Sequence, residues 1–204
     1  MRAVLPLVAR QVAAMVELQW LTGMRPGEVV QMRMADIDRG GRVWLYRPLR
    51  HKLEHQGAER VIPLGPKAQE VLAPFLRLER STPCFSPKDV MKERRQAERA
   101  ARKSKVWPSH STAARKRRVG SGPERLRDTY DNASYRRAVD RACKAAGIAS
   151  WSPNQLRHSA ATRIRKELGL EAAQAVLGHR QLETTQVYAE ISMTRAVQAM
   201  KRLG

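Results

Sequence analysis

The chain has 204 residues, 42% of them hydrophobic, with 39 Lys and Arg against 19 Asp and Glu. That length and apolar content support one well-buried domain and exclude wholesale disorder. The formal charge of +20 points to polyanionic partners, either phosphate polymers or anionic lipid surfaces, while aromatics at 5% are too few for a protein that works mainly by stacking bases. Cys84 and Cys143 make no disulfide framework, and no Cys/His cluster has zinc-ligand spacing. The N-terminal apolar stretch is broken by Pro6 and Arg10 and does not read as a signal peptide, and no run of 18 apolar residues occurs. The expectation is a soluble, cytoplasmic protein. A membrane partner is not expected, because the charge is spread along the chain and not gathered on one amphipathic helix.

Residues 7–21 carry Val8, Val12, Met15, Val16, Leu18 and Leu21 at helical spacing, and Gly23 stops that helix. Arg25 must be extended before Pro26, which opens a short helix over 26–34. Residues 36–41 read as a turn, and 42–47 and 60–64 as two strands of a small antiparallel hairpin. A helix over 67–78, kinked at Pro74, follows. Residues 86–130 hold 14 Lys and Arg against 5 Asp and Glu; 88–103 reads as a charged helix and 104–123 as a flexible basic loop. An apolar stripe of Tyr135, Val139, Ala142 and Ala146 marks a helix over 133–146. Ser152, Pro153 and Gln155 form a helix start, and that helix runs to about Leu168. Short helices over 171–177 and roughly 184–203 complete the chain. The predicted fold class is mainly α with a small antiparallel β-sheet (α+β): one domain over 1–204, with a basic insertion at about 86–130.

Several residues in the ordered parts have chemistry in common. Arg25 stands at a helix entrance, Lys52 in the hairpin, and Asn154, Arg157 and His158 on the first turns of a helix. His179 follows a glycine, and Tyr188 comes nine residues later. Guanidinium groups match the oxygens of a phosphodiester, and a tyrosine hydroxyl can act as a covalent nucleophile. Any basic protein could supply such a list, so order and spacing decide.

The segments LTGMRPGEVVQM, the hairpin lysine with RVIPL, NQLRHSAATRI and VLGHRQLETTQVY resemble the tyrosine recombinases, the phage-integrase family. The resemblance covers nearly the whole chain outside 86–130. It implies that Arg25 and Arg157 are the two catalytic arginines, with Glu28 in the acidic position supporting the first. It further implies that Lys52 is the β-hairpin lysine, although Arg50 and Lys67 stand nearby, that His179 is the histidine of the LGH box, and that Tyr188 is the nucleophile. In that chemistry the tyrosine attacks the scissile phosphate, forms a 3′-phosphotyrosine link and frees a 5′-hydroxyl, which a partner strand later reverses. The bond energy stays in the protein–DNA link, so no metal or other cofactor is implied. Double-stranded DNA is the implied partner, with self-association on DNA in a tetrameric synapse with a full-length protein.

One departure from the family pattern is Asn154, which stands where a histidine usually precedes the second arginine. Asparagine cannot take a proton at neutral pH, so Asn154 either orients the phosphate or leaves deprotonation of Tyr188 to another group. His158 reads as a buried structural histidine, set about 100° from its neighbour around the helix and a poor substitute. Tyr46, Tyr130 and Tyr135 lack the surrounding motif and read as structural. His51 and His55 have metal-like spacing, but they fall in a predicted hairpin and do not read as a metal site. The run Arg115, Lys116, Arg117 and Arg118 reads as a phosphate-contacting arm. The motif with Arg25 begins almost at once, so the family's N-terminal core-binding domain is expected to be absent, with weak DNA binding and a largely monomeric state. Residues 192–204 resemble the tail that docks onto a neighbouring protomer. Two alternatives remain open: a non-catalytic DNA-binding module, and type IB topoisomerase-like relaxation.

Overall fold

The computed structural model describes residues 1–50, 60–104, 127–178 and 196–203. Its first regular helix, α1 (Arg10–Thr22), buries Val12, Met15, Val16 and Leu18. A 3-10 turn over Arg2–Leu7, not legible in the sequence, precedes it and tucks Val4 into the core. Gly23 ends α1 in the left-handed region (φ 68°), its N–H donating to the Gln19 carbonyl at 2.9 Å.

Arg25 is extended (φ −75°, ψ 154°), as a residue before proline must be, and α2 (Pro26–Val30) follows. The expected helix over 26–34 stops at Val30 because the next backbone groups are bound elsewhere. Cys84 N–H donates to the Met32 carbonyl at 2.8 Å, and Ala35 N–H to that of Arg80 at 2.8 Å.

The sheet has three antiparallel strands in the order β1 (Ile37–Asp38), β2 (Trp44–Tyr46) and β3 (Ile62–Leu64). The stretch 36–41, expected to be only a turn, carries β1: Ile37 pairs with Tyr46 and Asp38 with Leu45. Two residues are too few to show a strand's period of two. Pro63 pairs with Leu45 and is accommodated because β3 is an edge strand of the described sheet.

Beyond the sheet, α3 (Pro66–Leu72) runs into a 3-10 turn over Ala73–Phe75, so the path expected to reach residue 78 ends near Pro74. The charged helix α4 (Pro87–Ala100) buries none of its residues. Ion pairs tether it: Arg10–Glu93 at 2.9 Å, Lys88–Asp128 at 2.6 Å and the close pair Arg77–Asp89.

Next, α5 (Asn132–Ala145) is capped by Asp131, whose carboxylate accepts from Ser134 N–H at 2.6 Å. It buries Tyr135, Val139, Ala142 and Cys143; the last, not Ala146, completes the stripe. Helices α6 (Pro153–Leu168) and α7 (Leu170–Leu177) meet at Gly169, and residues 196–203 are again helical. At the start of α6, Ser152 N–H donates to Gln155 Oε1 at 2.9 Å, as the capping-box reading requires.

The apolar interior forms two clusters. The larger joins α1, α2, the sheet, α3 and α5. The smaller joins α6, α7 and Val43 to Ala196, Ala199 and Met200, so residues 196–203 pack on the chain's own α6–α7 pair. Arginines of α6 strap the two together: Arg163 donates to the Trp20 carbonyl at 2.9 Å and lies 5.0 Å over the Trp20 ring.

Gly23 sits at the same junction, where an added Cβ would lie 2.7 Å from Leu177 Cδ2. Gly23→Ala is expected to lower the unfolding free energy by about 1–3 kcal/mol, the range for forcing a side chain into a left-handed backbone. Urea unfolding of both proteins checks this, and equal midpoints would contradict it.

Candidate active site

The junction between the clusters gathers charge around one carboxylate. Glu28 lies on the first turn of α2 and is 2% exposed. Its Oε2 accepts from the Arg25 backbone N–H at 2.7 Å, and its Oε1 from the Arg25 guanidinium at 2.9 Å. The same Oε1 receives Arg60 Nε at 3.4 Å. Tyr46 in β2 fixes the segment from below, its hydroxyl donating to the Glu28 carbonyl at 2.7 Å. Burial alone pushes the Glu28 carboxyl up, but the Arg60 charge, the Arg25 N–H and the Arg25 charge outweigh it and hold it below its usual range.

That direction sets a pH dependence. A carboxylate held low in the folded state contributes stability above the ordinary carboxylate range, and this contribution fades as pH falls through the lowered value. The stability gap between the native chain and Glu28→Gln is therefore expected to be constant from neutral pH down to about 5 and to close below about 4. Urea midpoints across that range check it; a gap that widens in acid would contradict it.

Arg157, on the second turn of α6, is also buried, at 6% exposure. One of its terminal nitrogens donates to the Gly23 carbonyl at 2.8 Å and the other to the Leu177 carbonyl at 2.7 Å. It thus ties the end of α1 to the end of α7, satisfying a carbonyl that a helix C-terminus leaves open. Burial, with the nearby charges of Arg25 and Arg60, lowers its pKa to about 10, which leaves it charged at neutral pH. Two guanidinium groups, of Arg25 and Arg60, thus meet one carboxylate, and Arg157 sets a third positive charge nearby.

Beside this cluster lies a groove of about 630 Å³ that Arg25, Gln31, Arg50, Asn132, Arg136 and Asn154 help to line. Arg25 and Asn154 therefore face a common space. His158 departs from its expected place. It is exposed rather than buried, one helical turn after Asn154 and on the same face, with Nε2 3.3 Å from Asn154 Nδ2. The spacing of four residues explains this, since it returns to within about 40° of the starting face.

Arg25, Glu28 and Arg157 are thus brought together, and Asn154 shares the groove with Arg25. Lys52, His179, Tyr188 and the run Arg115, Lys116, Arg117 and Arg118 lie outside the described residues. The three other tyrosines occupy structural positions. Tyr46 and Tyr135 are fully buried, Tyr135 donating to Gln19 Oε1 at 2.9 Å, and Tyr130 is half-buried with its hydroxyl pushed up to about 12 by burial.

The residue that sequence reasoning missed is Arg60. A usable signal was present, because Arg60, Ile62 and Leu64 alternate onto one face of the predicted strand, and an arginine on a buried face calls for a partner.

Tyrosine recombinase XerC of Bifidobacterium longum subsp. infantis is 33% identical over 183 residues, covering 89% of this chain and 43% of the relative. Tyrosine recombinase XerC of Corynebacterium efficiens is 29% identical over 194 residues, covering 95% and 50%. The chain spans about half the length of these curated relatives. The solved integrase from mycobacterium phage Brujita shares the fold, with a TM-score of 0.60 at 18% identity over 100% of this chain and 55% of that one. The pattern described as the phage integrase family matches residues 7–195, and the chain belongs to that family.

Proposed function

We propose that this chain is a catalytic domain that cuts and rejoins strands of duplex DNA through a covalent tyrosine link, as a site-specific recombinase, acting in the cytoplasm and assembling with further copies on DNA. The observation that carries the reading is the convergence of Arg25 and Glu28, from one motif, with Arg157, from a second, where the ends of α1 and α7 meet the start of α2. Tyrosine recombinases of similar sequence support the same chemistry.

In the proposed reaction, the Tyr188 oxygen bonds to the scissile phosphorus as the bond to the 5′-oxygen breaks. Negative charge concentrates on the non-bridging oxygens, where Arg25 and Arg157 are held to receive it and His179 adds a hydrogen bond. Lys52 gives a proton to the departing 5′-oxygen. Asn154 orients the phosphate by hydrogen bonding, and the phenol proton passes to an acceptor other than its amide. Rejoining runs the same bonds in reverse.

The experiment selects bound duplexes from a random pool and then presents the recovered sequence as a nicked suicide substrate. The expected result is a protein–DNA adduct that survives denaturation. Salt-sensitive binding with no adduct under any condition would instead identify a non-catalytic module. Relaxation of plasmid regardless of sequence would identify a topoisomerase.

A further inference from the structure

We infer that Arg60 is a positioning residue that fixes three segments relative to one another: the Arg25–Glu28 pair, the start of β3 and the end of α7. The inference rests on the strand-transfer reading above and adds a residue to it. Arg60 is 6% exposed and stands two residues before β3. Its Nε meets Glu28 Oε1 at 3.4 Å, the oxygen that also receives the Arg25 guanidinium. One terminal nitrogen donates to the Val176 carbonyl at 3.1 Å.

The next carbonyl, that of Leu177, is the one that Arg157 holds. Two arginines therefore grip successive carbonyls at the end of α7, one referred to the Arg25–Glu28 pair and the other to Gly23. The chain then turns at Gly178 (φ 64°) into His179. A Cβ at Gly178 would lie 2.5 Å from the Arg60 terminal nitrogen, so this glycine answers both to its backbone angle and to the guanidinium beneath it. The same side chain thereby ties the start of β3 to both the Arg25–Glu28 pair and the end of α7.

A purely structural site would not favour this residue. The second terminal nitrogen of Arg60 is buried with no hydrogen-bond partner among the described residues. A buried cation with an unused donor is costly, and an apolar side chain of similar volume commonly fills such a place at least as stably. What the guanidinium adds is direction: a planar fork that reaches a carboxylate and a carbonyl from one fixed point.

The test compares Arg60→Lys and Arg60→Met with the native chain in two measurements. The first is single-turnover cleavage of the suicide duplex at saturating DNA, alongside DNA affinity. Both variants are expected to bind within about twofold of native while cleaving about tenfold or more slowly, as slight misplacement of catalytic groups demands, with lysine retaining more activity than methionine. Native-like cleavage by Arg60→Met would overturn the inference. The second is amide hydrogen exchange, which needs no activity. Faster exchange confined to residues 25–28 and 176–178, with α5 unchanged, supports the inference; exchange that rises evenly throughout, or nowhere, overturns it. If the native chain forms no adduct, the strand-transfer reading fails, and the exchange pattern still decides whether Arg60 sets these segments.

Discussion

Replacing Glu28 with leucine is expected to lower the unfolding free energy by about 3–5 kcal/mol, the range for removing one partner of a buried ion pair. The loss has three parts. Arg60, 6% exposed, keeps its charge and loses its counter-ion. The Arg25 backbone N–H loses its acceptor at the start of α2. The Arg25 guanidinium loses the contact that aims it. Arg25→Ala tests the reverse truncation and is expected to cost less, about 1 kcal/mol, because the Arg25 side chain is 25% exposed and water compensates. The double variant Glu28→Leu/Arg60→Met removes both buried charges and is expected to recover part of the loss, since the stranded cation goes with its partner. Urea unfolding of these four proteins and of Arg60→Met alone measures the set. An additive double variant would mean that Glu28 and Arg60 do not depend on each other. Cleavage should fall with Glu28→Leu as well, by about 10²–10³, the cost of losing an oriented donor to a developing oxyanion.

The second large effect is on chemistry alone. Tyr188→Phe removes one oxygen and is expected to abolish the covalent adduct while leaving DNA affinity within about twofold, since most nonspecific affinity comes from cationic contacts to phosphates. Denaturing electrophoresis of the suicide-substrate reaction reads the first quantity and titration at fixed salt the second. Tyr46, Tyr130 and Tyr135 offer no ready replacement: two are buried completely and the third is half-buried. An adduct that persists in Tyr188→Phe would reject the assignment of the nucleophile.

Much of this was legible in the sequence, for physical reasons that differ by element. Helices with strong periodicity and end signals were read within a few residues: Gly23 closes α1, Pro153 opens α6 and Gly178 closes α7. Short elements were not. The 3-10 turn at Arg2–Leu7 and strand β1 are set by tertiary pairing, and α2 ends early because Cys84 and Arg80 take part in the backbone bonding of the segment after it. Among site residues, the motif arginines were legible because their spacing is sequential. Arg60 was not, because its role depends on Glu28 and Val176, which lie 32 and 116 residues away in the chain. The exposure of His158 follows from Asn154 one turn earlier on the same face, not from the residue beside it in the chain.

The most direct test of the central claim locates the covalent bond. Trypsin should release from the adduct the peptide of residues 181–195, in which Tyr188 is the single tyrosine. Fragmentation by mass spectrometry is expected to place the nucleotide on Tyr188 through a 3′-phosphate, with a free 5′-hydroxyl on the released strand. A link at any other residue, or one through a 5′-phosphate, would contradict the account.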